Sequence, residues 1–266
     1  MNNTKPNRKR ISPVSVLHYI KLVGRSLLFI SAAVLYVFNR INHNDTYFGG
    51  IEYNKYFLLA LWIIFFVEML FRFLPSRLES PGCQKVFKKR FVPTAVPKTK
   101  LTSWRSTLAV AAAWLALNGV IGVLYYTKLI DEGILILISL AYSVCDMICI
   151  LFFCPFQTWF MGNRCCVTCR IYNWDYAMMF TPLVFINNIY ALSLLGVSLV
   201  LLFVWEITVR LHPERFSETT NGCLSCANCN EKLCHHKKQL RSFIKKNRNK
   251  LFVKENESFS AEKKNK

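Results

Sequence analysis

Charge is scarce in this chain. Only 18% of its residues are charged, whereas 53% are hydrophobic. An ordinary soluble domain carries about 25% charged residues, so that class is excluded. Disorder is excluded too, because it requires low hydrophobicity and high charge. Acidic residues are the scarcer kind, 15 Asp and Glu against 34 Lys and Arg, for a formal net charge of +19. Apolar and basic material must therefore be segregated along the chain, as in multi-pass membrane proteins with basic loops. Also missing are a glycine-rich nucleotide loop, an H-E-x-x-H pair, a serine-nucleophile elbow and any internal repeat. Whether the chain is an enzyme stays open at this level.

Long apolar runs are present. A membrane helix needs about 20 apolar residues, and five stretches qualify: 20–38, 56–74, 108–126, 134–153 and 178–207. None alternates as a barrel strand does. The expected fold is all-α, a polytopic helical membrane protein with about five transmembrane helices. A basic N-terminal segment (1–19) precedes the bundle (20–207), and a basic Cys/His-rich tail (208–266) follows it. The first run is too long for a signal-peptide core and has no small-residue cleavage pattern, so it is expected to remain as a span.

Basic loops stay cytoplasmic. The N-terminal segment (Lys5, Arg8, Lys9, Arg10) and loop 77–105 (Lys85, Lys88, Lys89, Arg90, Lys98, Lys100) are both basic. The expectation is a cytoplasmic (inner) membrane protein with its N-terminus inside. The Asp131–Glu132 turn is then outside and loop 154–177 inside. Five crossings would put the most basic segment, the tail, outside. The alternative is one irregular segment, at 152–160 or broken at Asn187–Asn188, and a cytoplasmic tail. The cysteine content favours the second arrangement.

There are 11 Cys, and they cluster. In the tail, Cys223-x-x-Cys226-x-x-Cys229 is followed by Cys234, His235 and His236. A C-x-x-C turn brings both sulfurs to one side, and four such ligands close a tetrahedral zinc site with Zn–S of about 2.3 Å. Soft thiolates also suit an iron–sulfur cluster. Its bacterial C-x2-C-x2-C-x3-C-P run is matched for three Cys, with the fourth one residue late and followed by His. In loop 154–177, Cys166-x-x-Cys169 lies between Arg164 and Arg170, whose charge favours thiolate. Cys154 and Cys165 can add ligands, to a second metal centre or to one shared with the tail. Zinc or iron–sulfur is thus the expected cofactor. Disulfides are the alternative for an outside tail. Cys145 and Cys149 share a face of the fourth span and read as small packing residues.

Two acids lie within spans, Glu68 and Asp146. Ionisable groups at that depth usually serve function or pairing. Glu68 has Arg72 four residues on, on its own helix face. Asp146 has no basic residue in its span and is a candidate for an ion or proton path. Asn118, Asn187 and Asn188 are candidates for bonds across helices. The basic tail is expected to meet anionic headgroups, at about 1 kcal/mol per basic residue, rather than nucleic acid.

Two resemblances attach to these motifs. Cys154-Pro155 resembles the Cys-Pro motif that membrane iron–sulfur electron carriers place just after a helix, although its spacing from Cys149 departs from theirs. Cys166 and Cys169 resemble the C-x-x-C of membrane thiol oxidoreductases, which implies a pair facing the oxidising side, against the charge-derived topology. Three functions follow as expectations: a cysteine/histidine metal centre with a redox role and a redox or membrane-protein partner; a small transporter or channel component using Asp146 and Glu68; or a thiol oxidoreductase using Cys166 and Cys169.

Overall fold

The computed structural model describes residues 13–43, 45–75, 84–95, 99, 101, 103–161 and 169–225. Five helices among them are long and apolar enough to cross a membrane. They are α1 (Pro13–Ile41), α2 (Lys55–Phe73), α3 (Trp104–Tyr126), α4 (Glu132–Leu151) and, after the short α5 (Asp175–Phe180), α6 (Ile189–Leu211). No strand occurs among the described residues. The helix starts follow from the sequence. The side chains of Asn54, Asp131 and Asn188 accept hydrogen bonds from the first-turn amides of α2, α4 and α6, satisfying donors that the helix itself cannot. Helix α2 stops where Leu74 is extended before Pro75.

Helix α1 lies on the outside of the bundle. Its Ile20, Leu27, Val34 and Ile41 are all more than half exposed. That stripe, with the exposed faces of the other long helices, is what a bilayer would solvate. The helix runs antiparallel to α4: Tyr36 Oη donates to Asp131 (2.9 Å) at one end, and Tyr19 meets Phe152 edge-on (6.3 Å) at the other.

The stretch 178–207, expected as one span, is two elements running in opposite directions. Helix α5 continues into a 3-10 turn, Thr181–Phe185, and α6 starts only after Asn188. Pro182 lacks an N–H and clashes with a preceding α-turn carbonyl, which accounts for the change of helix type. The Asn188 cap then restarts the chain. Asp175 and Tyr176 lie beside Arg72 and Glu68 of α2, near its C-terminal end. Phe185 reaches Tyr125 and Tyr126 at the opposite end of the bundle. The six residues of α5 and the five of the 3-10 turn rise about 9 and 10 Å, and extended residues complete the pass. Tyr176, Ala177, Met179, Phe180, Leu183 and Ile186 are buried. Irregular backbone at membrane depth is tolerated under that condition.

The extra pass returns α6 to the end of the bundle where α1 begins. There the residues after α6 bind the segment after α2. Pro93 and Asn221 form an antiparallel bridge, and Gly222 N donates to Val92 O (2.8 Å). Asn221, fully buried, donates through Nδ2 to Lys85 O (3.2 Å) and Arg215 O (2.8 Å). The base of the tail and the basic loop therefore share one side.

Two smaller expectations are corrected. Arg72 bonds Asp175 rather than Glu68, its neighbour four residues back. Asn118 donates to Trp114 O within its own helix, and Asn188 caps α6; these bonds satisfy backbone rather than link helices.

Candidate functional site: an ion cluster beside a thiol-lined chamber

Arg25 of α1 joins the two in-span acids. Its Nη2 lies 2.6 Å from Glu68 Oε2 and its Nη1 3.3 Å from Asp146 Oδ2, and Nη1 also donates to Ser143 O (3.1 Å). Lys21, one turn earlier, reaches Glu68 Oε1 (3.4 Å), and Tyr176 Oη donates to Glu68 Oε2 (3.1 Å). Arg72 extends the network. It pairs with Asp175 (2.5 Å), donates to Asn173 Oδ1 (3.3 Å) and has the rings of Tyr172 and Tyr176 within 5.3 and 5.1 Å. Arg170 and Trp174 both bond Glu206, the arginine through two contacts of 2.8 and 2.5 Å. Lys21, Arg25, Arg72 and Arg170 thus face Glu68, Asp146, Asp175 and Glu206, four against four. Paired and hydrogen-bonded burial of this kind is how charge is carried inside a bilayer.

Two cavities lie near the cluster: Ser143, whose carbonyl accepts from Arg25, lines the first, and Asp146 and Asp175 line the second. The first, about 270 Å³, runs from Tyr47, Glu52, Glu132 and Asn188 at the Asp131–Glu132 end down to Ser139 and Ser143. Burial, with the Asp131 and Glu132 carboxylates beside it, pushes the Tyr47 phenol above its ordinary pKa. The second cavity, about 460 Å³, has Asp146 in its wall. It is walled by α3, α4, a π-helical turn (Phe156–Phe160) and residues 169–178. Cys145, Cys149, Cys154 and Cys169 line it, together with Asp146 and Asp175.

The thiols are held by the way α4 ends. Helix α4 ends at Leu151, Phe152 N closing its last turn on Ile148 O (2.8 Å), and Pro155 begins a wider turn in which Gln157 N donates to Cys154 Sγ (3.4 Å). Cys154 thereby shares the chamber wall with Cys149 of the last turn of α4. The five described cysteines, these four and Cys223, are all thiols.

No family model, curated protein or solved structure matches this chain. The site is therefore read from its own chemistry. Of the residues singled out in the sequence, Glu68 and Asp146 converge on Arg25, and Cys154 and Cys169 share the chamber. Cys223 lies apart, its Sγ 2.8 Å from Arg90 O. Cys165, Cys166, Cys226, Cys229, Cys234, His235 and His236 fall outside the described residues. Among the described residues no three His, Cys, Asp or Glu gather as a metal site. Sequence reasoning treated Cys149 as packing and did not anticipate that it shares the chamber wall with Cys154. A helix end and a proline between two cysteines five apart was the available signal.

Proposed function

We propose that this is a multi-pass membrane protein performing thiol–disulfide chemistry in the chamber at the end of α4. Cys149 and Cys154 are the reacting pair. Cys169, with Cys166 three residues before it, is the pair that exchanges with them. The observation that carries this reading is the gathering of Cys149, Cys154 and Cys169 on the wall of one chamber. Exchange needs an attacking sulfur near its target.

The tail is proposed as a separate zinc or iron–sulfur element. Support comes from the spacing of Cys223, Cys226, Cys229, Cys234, His235 and His236 alone. The proposed location is the cytoplasmic membrane, with the N-terminus and tail both cytoplasmic and the basic tail on anionic headgroups. That placement agrees with the bonding of the tail's base to the basic segment 85–95. A carrier role for Asp146 and Glu68 draws support from the place of Asp146 in the wall of the second cavity and from the Arg25 that the two acids share.

Graded diamide oxidation of the membrane-embedded protein tests the thiol reading, with peptide mapping of disulfides. Cys149–Cys154 is expected to link first, and Cys149→Ser to abolish the product. If both remain thiols while Cys223 and Cys145 react, the reading fails.

A further inference from the structure

We infer that the first cavity, at the Asp131–Glu132 end of the bundle, binds a soluble alkylammonium ion, its charged head at the mouth and its apolar body between the helices. The site is separate from the thiol chamber and does not depend on the thiol reading.

The walls are the first argument. Tyr47, Tyr53, Trp62, Phe65, Phe180 and Tyr190 give the cavity an aromatic lining, and ring faces attract a cation through their quadrupole. Several of these rings are fixed by the protein itself. Trp62 Nε1 donates to Ser193 Oγ (2.8 Å) and the indole stacks on Phe66 (4.5 Å), while Phe65 meets Phe180 edge-on (5.4 Å). A preformed pocket spares a ligand the cost of ordering side chains.

Charge is the second argument. Glu52 and Glu132 are the only charged residues of the lining, and both are acidic. Neither pairs with a lysine, arginine or histidine among the described residues. Asp131 beside them differs, with Arg40 3.7 Å away. Glu52 is held by amides: Oε1 accepts from Tyr47 N (2.6 Å) and Oε2 from Phe48 N (3.2 Å). Glu132 Oε1 accepts from the Tyr125 hydroxyl (3.5 Å). These bonds position the carboxylates without cancelling their charge. Glu52 precedes α2, Glu132 begins α4 and Tyr53 is 71% exposed, so the mouth meets water rather than the middle of the bilayer.

Polarity along the cavity sets the orientation. From Glu132 to Ser143, α4 rises about 16 Å. At the inner end the Ser143 carbonyl and the Phe65 ring both face the Arg25 guanidinium, at 3.1 and 5.6 Å. A cation is repelled there and drawn to the two acids at the mouth. Between the ends, Ile136, Leu140, Leu183 and Leu194 offer apolar surface. A volume of about 270 Å³ spread along such a path suits an alkyl chain better than fused rings.

The test titrates hexyltrimethylammonium into the full-length protein in dodecyl maltoside, a detergent without an ammonium group, by isothermal calorimetry. One saturable site per chain is expected, and none for heptanoate, an anion of similar length. Glu52→Gln and Glu132→Gln are each expected to weaken cation binding about tenfold, and the double variant to abolish it. Glutamine keeps an acceptor for the amides of Tyr47 and Phe48, and an unfolding midpoint equal to the parent's checks that each variant is folded. Salt supplies a measurement that needs no variant: raising it from about 0.01 to 0.1 M shortens the screening length from about 30 to 10 Å, and the parent's affinity is expected to fall several-fold. Absence of a saturable site at millimolar cation overturns the inference. So does heptanoate binding as tightly as the cation, or full affinity in the folded double variant. Competition by phosphatidylethanolamine added to the micelles would give the site to a lipid headgroup and overturn the soluble ligand.

Discussion

Arg25 organises the interior through two unequal pairs. Its contact with Glu68 is short, and Glu68 has two further partners in Lys21 and Tyr176. Its contact with Asp146 is longer. Breaking a buried pair by neutralising one partner costs about 3–5 kcal/mol, because the remaining charge stays buried. Glu68→Gln strands two cations and is expected at or above that range. Asp146→Asn leaves Arg25 with Glu68 and is expected to cost about half as much. Thermal unfolding in mild detergent gives the order, and the reverse order would show Asp146 to be the main counter-charge. If the carrier role holds, Asp146→Asn also abolishes flux in proteoliposomes, whereas unchanged flux removes Asp146 from any path. The two acids were legible in the sequence, since carboxylates are conspicuous inside apolar runs. Their shared partner was not, because helix pairing decides which arginine arrives. Proximity along one helix suggested Glu68–Arg72. Across the bundle, Asp175 and the rings of Tyr172 and Tyr176 offer Arg72 more than an exposed i,i+4 contact does, a few tenths of a kcal/mol.

At the scale of elements, the short pass through α5 and the 3-10 turn decides the fold, and one glycine seats it. A Cβ on Gly122 would stand 2.5 Å from Phe185 Cζ, so α3 must be bare there for the ring to dock. Gly122→Val is expected to destabilise by over-packing, about 1–3 kcal/mol. Phe185→Ala leaves a cavity and is expected to cost about 3–5 kcal/mol. In Gly122→Val/Phe185→Ala the new side chain occupies part of that cavity, so the double variant is expected to cost clearly less than the two singles summed. Strict additivity in the unfolding free energies would mean that the ring and the glycine do not meet. The sequence carried half of this element. Asn187–Asn188 marked a break, and it is where α6 restarts. The pass before it was not visible, because eleven helical residues fall short of any window tuned to about 20. A buried pass can be short, since the protein around it rather than lipid solvates its ends.

For the molecule as a whole, the hidden pass removes a conflict between two sequence rules. Counting apolar windows gives five crossings and separates the tail from the basic loop; charge places both on one side. The bonds from Asn221 and Gly222 to Lys85 and Val92, and the stacking of Arg210 on Trp104 (5.5 Å), side with charge. The window count fails because it registers an ascent and a descent as one helix. The thiol chamber lies at the same end, beyond Tyr172 and Asp175, so the chemistry proposed for it faces the compartment that holds the tail. Epitope tags at the N-terminus, at the C-terminus and inserted after Thr127, an exposed turn position, check the arrangement. In intact spheroplasts the Thr127 tag is expected to bind antibody and the terminal tags only after permeabilisation. A C-terminal tag accessible together with the Thr127 tag would contradict the return of α6, and with it the cytoplasmic placement proposed for the chamber. Both terminal tags accessible, with the Thr127 tag protected, would keep the fold and invert the protein in the membrane, which would put the Cys166–Cys169 pair on the oxidising side where membrane thiol oxidoreductases carry theirs.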